Sequence, residues 1–249
     1  MELPKPTFRW DVSNASKLKV IVFDLDGTLV NIIPRHARKK FLEFSKKISV
    51  EFNLKYSETR LIRLHKQALN EWRQIEKSLQ GRRKYLKLWE LCFTKMGLPY
   101  SDSTRLAASL QKEIEDECDD RLYSDVVPLL LKLSAKGFVL GILSERPGSA
   151  IKASLRRHNI SQYFSFCISA YDLDNTQTKL NSKVWETLIK EAKHNPQEIC
   201  YIGDDYETDI VPALAHGITA ILLDRKGRSG DLRCIKIRNL NQLAYLLKL

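Results

Sequence analysis

No apolar run in this sequence approaches the roughly 18 residues of a membrane span, and the opening stretch MELPKPTFRWDVSNASKLK contains no apolar signal-peptide core. A membrane association is set aside, and the expected location is the cytoplasm. Cysteine is sparse: Cys92, Cys118, Cys167, Cys200 and Cys234 include no C-x-x-C pair. An odd number without ligand spacing argues against a disulfide framework or a zinc site and leaves reduced, mostly buried thiols that pack as small hydrophobes. Internal repeats and low-complexity tracts are absent as well.

Acidic residues are scarce in one part of the chain. Between Asn31 and Tyr100, 17 Lys and Arg stand against 6 Asp and Glu, so this segment alone carries the +11 of the whole protein and the remainder sums to zero. Such an excess attracts anions, whether phosphate esters, nucleic acid or an acidic partner. Scattered along helices, the same charges also make an ordinary solvated face. No aromatic-rich motif for single-stranded nucleic acid accompanies them. Trp72, Tyr85 and Trp89 do lie among the basic residues, but Tyr85, Leu88 and Trp89 share helical spacing and read as bundle core. Nucleic acid is therefore the weaker alternative to a small anionic, phosphorylated ligand.

A chain of 249 residues with 43% hydrophobic content can build one sizeable core, or a core with a smaller inserted domain. Lys19 to Phe23 reads as a buried strand. From Pro34 to about Asp119 the pattern is helical, in four amphipathic stretches, one with Ser57 as a cap and Gly81 as a stop. After Tyr123 strands and helices alternate: strands at Phe138–Leu143, Ser165–Ser169, Ile199–Gly203 and Ile218–Leu223, with helices between them, one of which spans about Glu207 to His216. This alternation implies a doubly wound parallel sheet, an α/β Rossmann-like core with helices on both faces. The expected organisation is an N-terminal arm over 1–17, an α/β core from 18–30 and 124–249, and a helical-bundle insertion over 31–123.

Polar groups gather where such sheets bind ligands, beyond the carboxyl ends of the strands. VIVFDLDGTLV ends strand one in Asp24 and Asp26, followed by Gly27 and Thr28. FVLGIL leads to Ser144, ICYIG to Asp204 and Asp205 with Asp209 beyond, and Lys179 lies in the connection YDLDNTQTKLNSKVW. Any of these alone is weak evidence: Asp-x-Asp-Gly is more often a turn, Ser144 reads as a helix cap, and Asp205 and Asp209 suit a helix N-terminus. Together, and in this order, they resemble the four signatures of the haloacid dehalogenase-like hydrolases, and the placement of the helical insertion resembles the subfamily with a type-1 helical cap.

The resemblance implies a Mg²⁺-dependent phosphatase acting on a small phosphate monoester. Asp24 is then the nucleophile that forms an aspartyl phosphate, and Asp26 the general acid and base. Mg²⁺ is held by the carboxylates of Asp24 and Asp204 and by the backbone carbonyl of Asp26. Crowded acids cannot receive a phosphate dianion without a cation, and oxygen donors with no His or Cys nearby favour a hard ion. Lys179, Ser144 and the backbone N–H groups of Gly27 and Thr28 are the expected phosphate contacts, and Asp209 supports Lys179 or a metal-bound water.

Two departures from the family pattern stand out. Lys179 is followed by Leu180 rather than proline, and Glu145-Arg146 replaces the common Asn-Gly after the strand-end hydroxyl. Arg146 is read as a surface arginine, with a second anionic group on the substrate as the alternative. Arg35, with His36, and the cluster Arg82, Arg83 and Lys84 are the candidate substrate-selecting cations of the cap, against a plain solvated helix start. Rival functions on the same fold are a phosphomutase and a haloacid dehalogenase. The latter needs no metal and typically lacks the second acid of the first loop. A nucleic-acid-binding or end-processing phosphatase is a further rival.

Overall fold

A computed structural model describes residues 15–32, 34–75, 79, 82–116, 120–173, 178–227, 229 and 234–249, without the side chains of 32, 34–36, 82, 84, 115 and 116. The arm expected over 1–17 lies outside the described residues up to position 14, as do Gly81 and Cys118. Two compact units make up the chain, one of Met1–Asn31 with Arg121–Leu249 and one of Ile32–Asp120.

In the first unit, β1 (Val20–Phe23) is the centre of the sheet. β2 (Val30–Ile32) and β3 (Asp120–Leu122) pair as a separate two-stranded sheet, one strand on either side of the stretch read from sequence as helical. β4 (Val139–Ser144), β5 (Phe166–Ser169), β6 (Ile199–Gly203), β7 (Thr219–Leu223) and β8 (Ile235–Ile237) complete a six-stranded sheet of order β5-β4-β1-β6-β7-β8. Its neighbouring strands run parallel. All four residues of β1 are buried. Side chains alternate across a strand, so Ile21 and Phe23 pack with Leu129, Leu133 and Ile151 on one face, while Val20 and Val22 pack with Val184, Trp185 and Leu188 on the other. Burial on both faces is why the strands read as continuous apolar runs.

This topology fixes where a ligand site can form. The chain builds outward from β1 through β4 to β5, then crosses back to β6, β7 and β8, so the strand order reverses at β1. Phe23 is in register with Ile142 and with Ile202, and the Asp24 N–H donates to the Ile202 carbonyl at 2.8 Å. Asp24 therefore sits level with the carboxyl ends of both neighbouring strands. One element differs in kind from the sequence expectation. The helix expected over Glu207 to His216 is a π-helical turn, Tyr206–Ile210, followed by a short α-helix, Val211–Ala215. Pro212 has no N–H to give the preceding turn, and that interrupts the α-helical ladder.

The second unit contains the helices Pro34–Glu51, Glu58–Ile75, Arg82–Lys95 and Tyr100–Asp116. Its core is built by residues at helical spacing: Phe41, Phe44 and Ile48; Leu61 and Ala68; Trp89, Cys92, Phe93 and Met96; Leu106, Ala107, Leu110 and Ile114. Ser57 caps the second of these helices, accepting from the Arg60 N–H at 3.3 Å. Tyr85 is not core as its spacing suggested; it is 47% exposed, whereas Trp89 is buried and donates its indole N–H to Gln111. Cys92 and Cys200 are buried, Cys234 is half-buried and Cys167 is exposed. No helix among the described residues is long and apolar enough to cross a membrane.

Candidate active site

The loop after β1 closes tightly on itself. Gly27 donates to the Val30 carbonyl at 2.8 Å, and Leu29 and Val30 donate to that of Leu25 at 2.9 and 3.0 Å. Gly27 adopts φ +79°, and a Cβ there would stand 2.0 Å from Asp204 Oδ2. Glycine is required twice over, for the left-handed turn and for the close approach of Asp204. The Gly27 N–H, expected to contact phosphate, is bonded to the Val30 carbonyl within the loop. Thr28 is fully buried and its Oγ1 has no partner among the described residues. Its carbonyl accepts from the Arg225 guanidinium at 2.8 Å. Arg225 in turn grips Asp125 through two 2.9 Å bonds and lies 3.7 Å over the Tyr123 ring. Nothing in the local sequence marks this tether, because Arg225 stands next to further basic residues, Lys226 and Arg228.

Asp24 is buried at the bottom of the site. Lys179 Nζ donates to Asp24 Oδ1 at 2.7 Å, to Tyr201 Oη at 3.1 Å and to Asp209 Oδ1. Tyr201 also donates to Asp209 Oδ1. Burial opposes the charge on Lys179, but Asp209 and Asp24 outweigh it and hold the ammonium well above its usual value. Burial likewise pushes the Asp24 carboxyl up, Lys179 opposes this, and Asp209, Asp204 and Asp26 add to it. Tyr201 was missed because, within the apolar run ICYIG, it reads as core filling. Asp209 Oδ2 accepts from the Asp205 N–H at 3.0 Å, so both oxygens of Asp209 are engaged. Asp205 caps the turn by accepting from the Glu207 and Thr208 N–H groups.

Carboxylate oxygens of Asp24, Asp204 and Asp209 lie within 4.8 Å of one another. Asp204 is the exposed member. It makes no hydrogen bond among the described residues, and burial of its carboxyl among these groups, with Asp209, pushes it up to about 7. An unpartnered carboxylate on the open side and a second on the floor form a donor set of hard oxygens that suits a divalent cation.

Asp26 is arranged differently. Arg146 Nε donates to its Oδ2 at 2.8 Å and Nη2 to its Oδ1. Arg146 is therefore not a surface arginine: its side chain is 5% exposed, against 33% for Asp26. A planar guanidinium fork matches a carboxylate with two parallel bonds, and this contact holds Arg146 inward. Ser144, at the end of β4, is buried, and its Oγ accepts from the Arg146 N–H at 3.2 Å; it does not cap the following helix, which begins after Pro147. Asp24, Asp26, Ser144, Lys179, Asp204 and Asp209 thus come together at the carboxyl end of the sheet. Arg83 is exposed in the helical unit, while the side chains of Arg35, Arg82 and Lys84 lie outside the described residues.

The chain as a whole has counterparts among known proteins. The family model for haloacid dehalogenase-like hydrolases matches residues 18–217. The chain belongs to that family. Such a haloacid dehalogenase-like hydrolase has curated relatives of more than one activity. The (S)-2-haloacid dehalogenase 4A of Burkholderia cepacia is 24% identical over 125 residues, covering 50% of this chain and 53% of that protein, so the chain spans about half the length of that relative. Glyceraldehyde 3-phosphate phosphatase of Methanopyrus kandleri is 23% identical over 219 residues, covering 86% of this chain and 87% of that one. Among solved structures, a HAD phosphatase from Thermococcus onnurineus matches with a TM-score of 0.63 at 24% identity, covering 92% of this chain and 98% of that chain, a likeness of fold.

Proposed function

We propose that this hydrolase is a Mg²⁺-dependent phosphatase that cleaves a small phosphate monoester through an aspartyl phosphate on Asp24. The reading is carried by the crowding of Asp24, Asp204 and Asp209, three carboxylates within 4.8 Å. Each pair of like unit charges near 4 Å costs about 4 kcal/mol at an effective dielectric of 20, and an incoming phosphate dianion adds to it. Attack on phosphorus at such a place calls for a cation, whereas attack on carbon does not. The Asp24 and Asp204 carboxylates, with the Asp26 carbonyl, would hold Mg²⁺, which when bound neutralises acid and phosphoryl charge.

The chain's own residues supply the rest. Asp24 Oδ1 is taken by Lys179, so Oδ2 attacks phosphorus, and the ester P–O bond breaks. Asp26 gives a proton to the departing alkoxide, then takes one from the water that attacks the aspartyl phosphate and restores Asp24. Lys179 keeps Asp24 oriented and faces the transferring oxygens, and the Ser144 hydroxyl donates to one of them. The helical unit is assigned the substrate-reading role of a cap. The test is phosphate release from a panel of monoesters with Mg²⁺ and with a chelator. Turnover that vanishes with chelation and returns with Mg²⁺ supports the proposal. The second reading, a dehalogenase, draws on Lys179, which offsets the Asp24 charge without any metal; halide release from 2-haloacids in the presence of chelator would establish it instead.

A further inference from the structure

Of the two places where this sequence departs from the family pattern, one, Glu145, bonds the two residues directly before the other, Leu180. Glu145, directly after Ser144, accepts with a single oxygen, Oε1, from the Thr178 hydroxyl at 3.0 Å and from the Lys179 N–H at 3.0 Å. Thr178 Oγ1 also accepts from the Leu180 N–H at 3.3 Å, closing a small turn around the lysine. On the other side of the residue, the Lys179 carbonyl accepts from the Trp185 indole N–H. The backbone of Lys179 is thus fastened at both its N–H and its C=O. Its side chain reaches from there to Asp24, Asp209 and Tyr201. Proline would stiffen position 180 through its ring; here Leu180 leaves the turn to be held by side chains from outside it.

We infer that Glu145 is a positioning residue for the reaction: through Oε1 it fixes the Thr178–Lys179 turn so that Nζ meets Asp24 Oδ1. Glu145 touches no reacting group. It acts through the lysine, and its geometry matters rather than its charge, since a neutral amide oxygen can accept the same two bonds. The inference rests on the proposed function only in taking Asp24 as the nucleophile that Lys179 holds.

Glu145→Ala and Glu145→Gln separate the possibilities. Misplacing a reacting group by about 1 Å costs on the order of 100-fold, so Glu145→Ala is expected to lower kcat by about that factor, with KM and thermal unfolding little changed. Glu145→Gln should restore most of kcat. Thr178→Val, which removes one of the two bonds from the other side, should give a smaller loss that does not add to that of Glu145→Ala. Rates are read on phosphate or halide release, whichever the wild type performs, so that halide release alone would defeat the phosphatase reading and leave this test standing. Crystal structures of the variants give a readout independent of substrate: Nζ should leave Asp24 in Glu145→Ala and stay at 2.7 Å in Glu145→Gln. The inference is overturned if Lys179 keeps its place in Glu145→Ala, if Gln does no better than Ala, or if kcat falls only in step with stability.

Discussion

Asp24 and Asp26 stand two residues apart in one loop, and each meets a basic side chain from far along the chain, yet the two contacts are built to different ends. Asp24 is buried and shares one oxygen with the Lys179 ammonium, leaving the other bare among the described residues. Asp26 is 33% exposed and gives both oxygens to the Arg146 fork. An ammonium is a compact point charge, whereas a guanidinium occupies a whole carboxylate edge. A nucleophile needs a fixed place and one free oxygen; a proton carrier needs an open side and a partner it can release. On this view, the Arg146 contact must loosen at one oxygen each time Asp26 takes up a proton and re-form when the proton is handed over.

The sharpest way to break the contrast is at the acids themselves. Asp24→Asn should reduce turnover to background with the fold intact, because a carboxamide cannot form the acyl phosphate. Asp26→Asn should cost about 10²- to 10⁴-fold, the usual worth of general acid–base help. Steady-state rates with purified variants decide it, and equal losses at both positions would erase the proposed division of labour.

A smaller effect is expected at the cations, read as stability in denaturant. Removing one partner of a buried pair strands a charge and costs about 3–5 kcal/mol, which applies to Lys179→Met. Arg146→Met leaves Asp26 partly solvated and should cost about 1–3 kcal/mol, the range for one lost partner of a polar group. Arg146→Lys should recover little, because lysine cannot reproduce the fork.

Smallest is a pH effect that separates Asp204 from both loop acids. Its carboxyl is raised to about 7 in the folded chain, so the folded state holds that proton more tightly than the unfolded one. Its stabilising contribution is therefore present at low pH and lost as pH rises through about 7. Metal-free protein should show an unfolding midpoint that falls from about pH 4 to about pH 7 on this account and levels off above. Added Mg²⁺ should oppose the fall at the upper end, where the carboxylate is free to bind it. A flat profile without metal would mean that Asp204 is less crowded than the geometry indicates.

Much of this site could be read from residue order. Apolar runs ending in Asp24, Ser144 and Asp204 are legible because strands buried on both faces leave an uninterrupted signal, and the first polar residue after each marks the ligand edge. Strand order was not legible, since nothing local in β5 or β8 states its neighbour. Glu145, Arg146, Tyr201 and Arg225 escaped for a common reason. Each acts through a partner at least 22 residues away, as with Lys179 and Tyr201, and a charged or aromatic residue judged by its own neighbourhood looks like surface or filler. Tyr85 failed in the opposite direction: its spacing matches that of Trp89, but the core stripe of its helix is too narrow to include it.

The π-helical turn at Tyr206–Ile210 adds a constraint of another kind. The Val211 N–H reaches the carbonyl of Tyr206, five residues back, so the turn carries one residue more than an α-helical turn would. Asp209 lies within this turn, its own N–H bonded to the Asp205 carbonyl at 3.0 Å. Deleting a single residue between Asp205 and Asp209 would let the segment relax to α-helix and swing the following carboxylate about 100° around the axis, away from Lys179 and Tyr201. Such a variant would keep every acid in its sequence and still lose their convergence, so this loop is fixed in length as firmly as in composition.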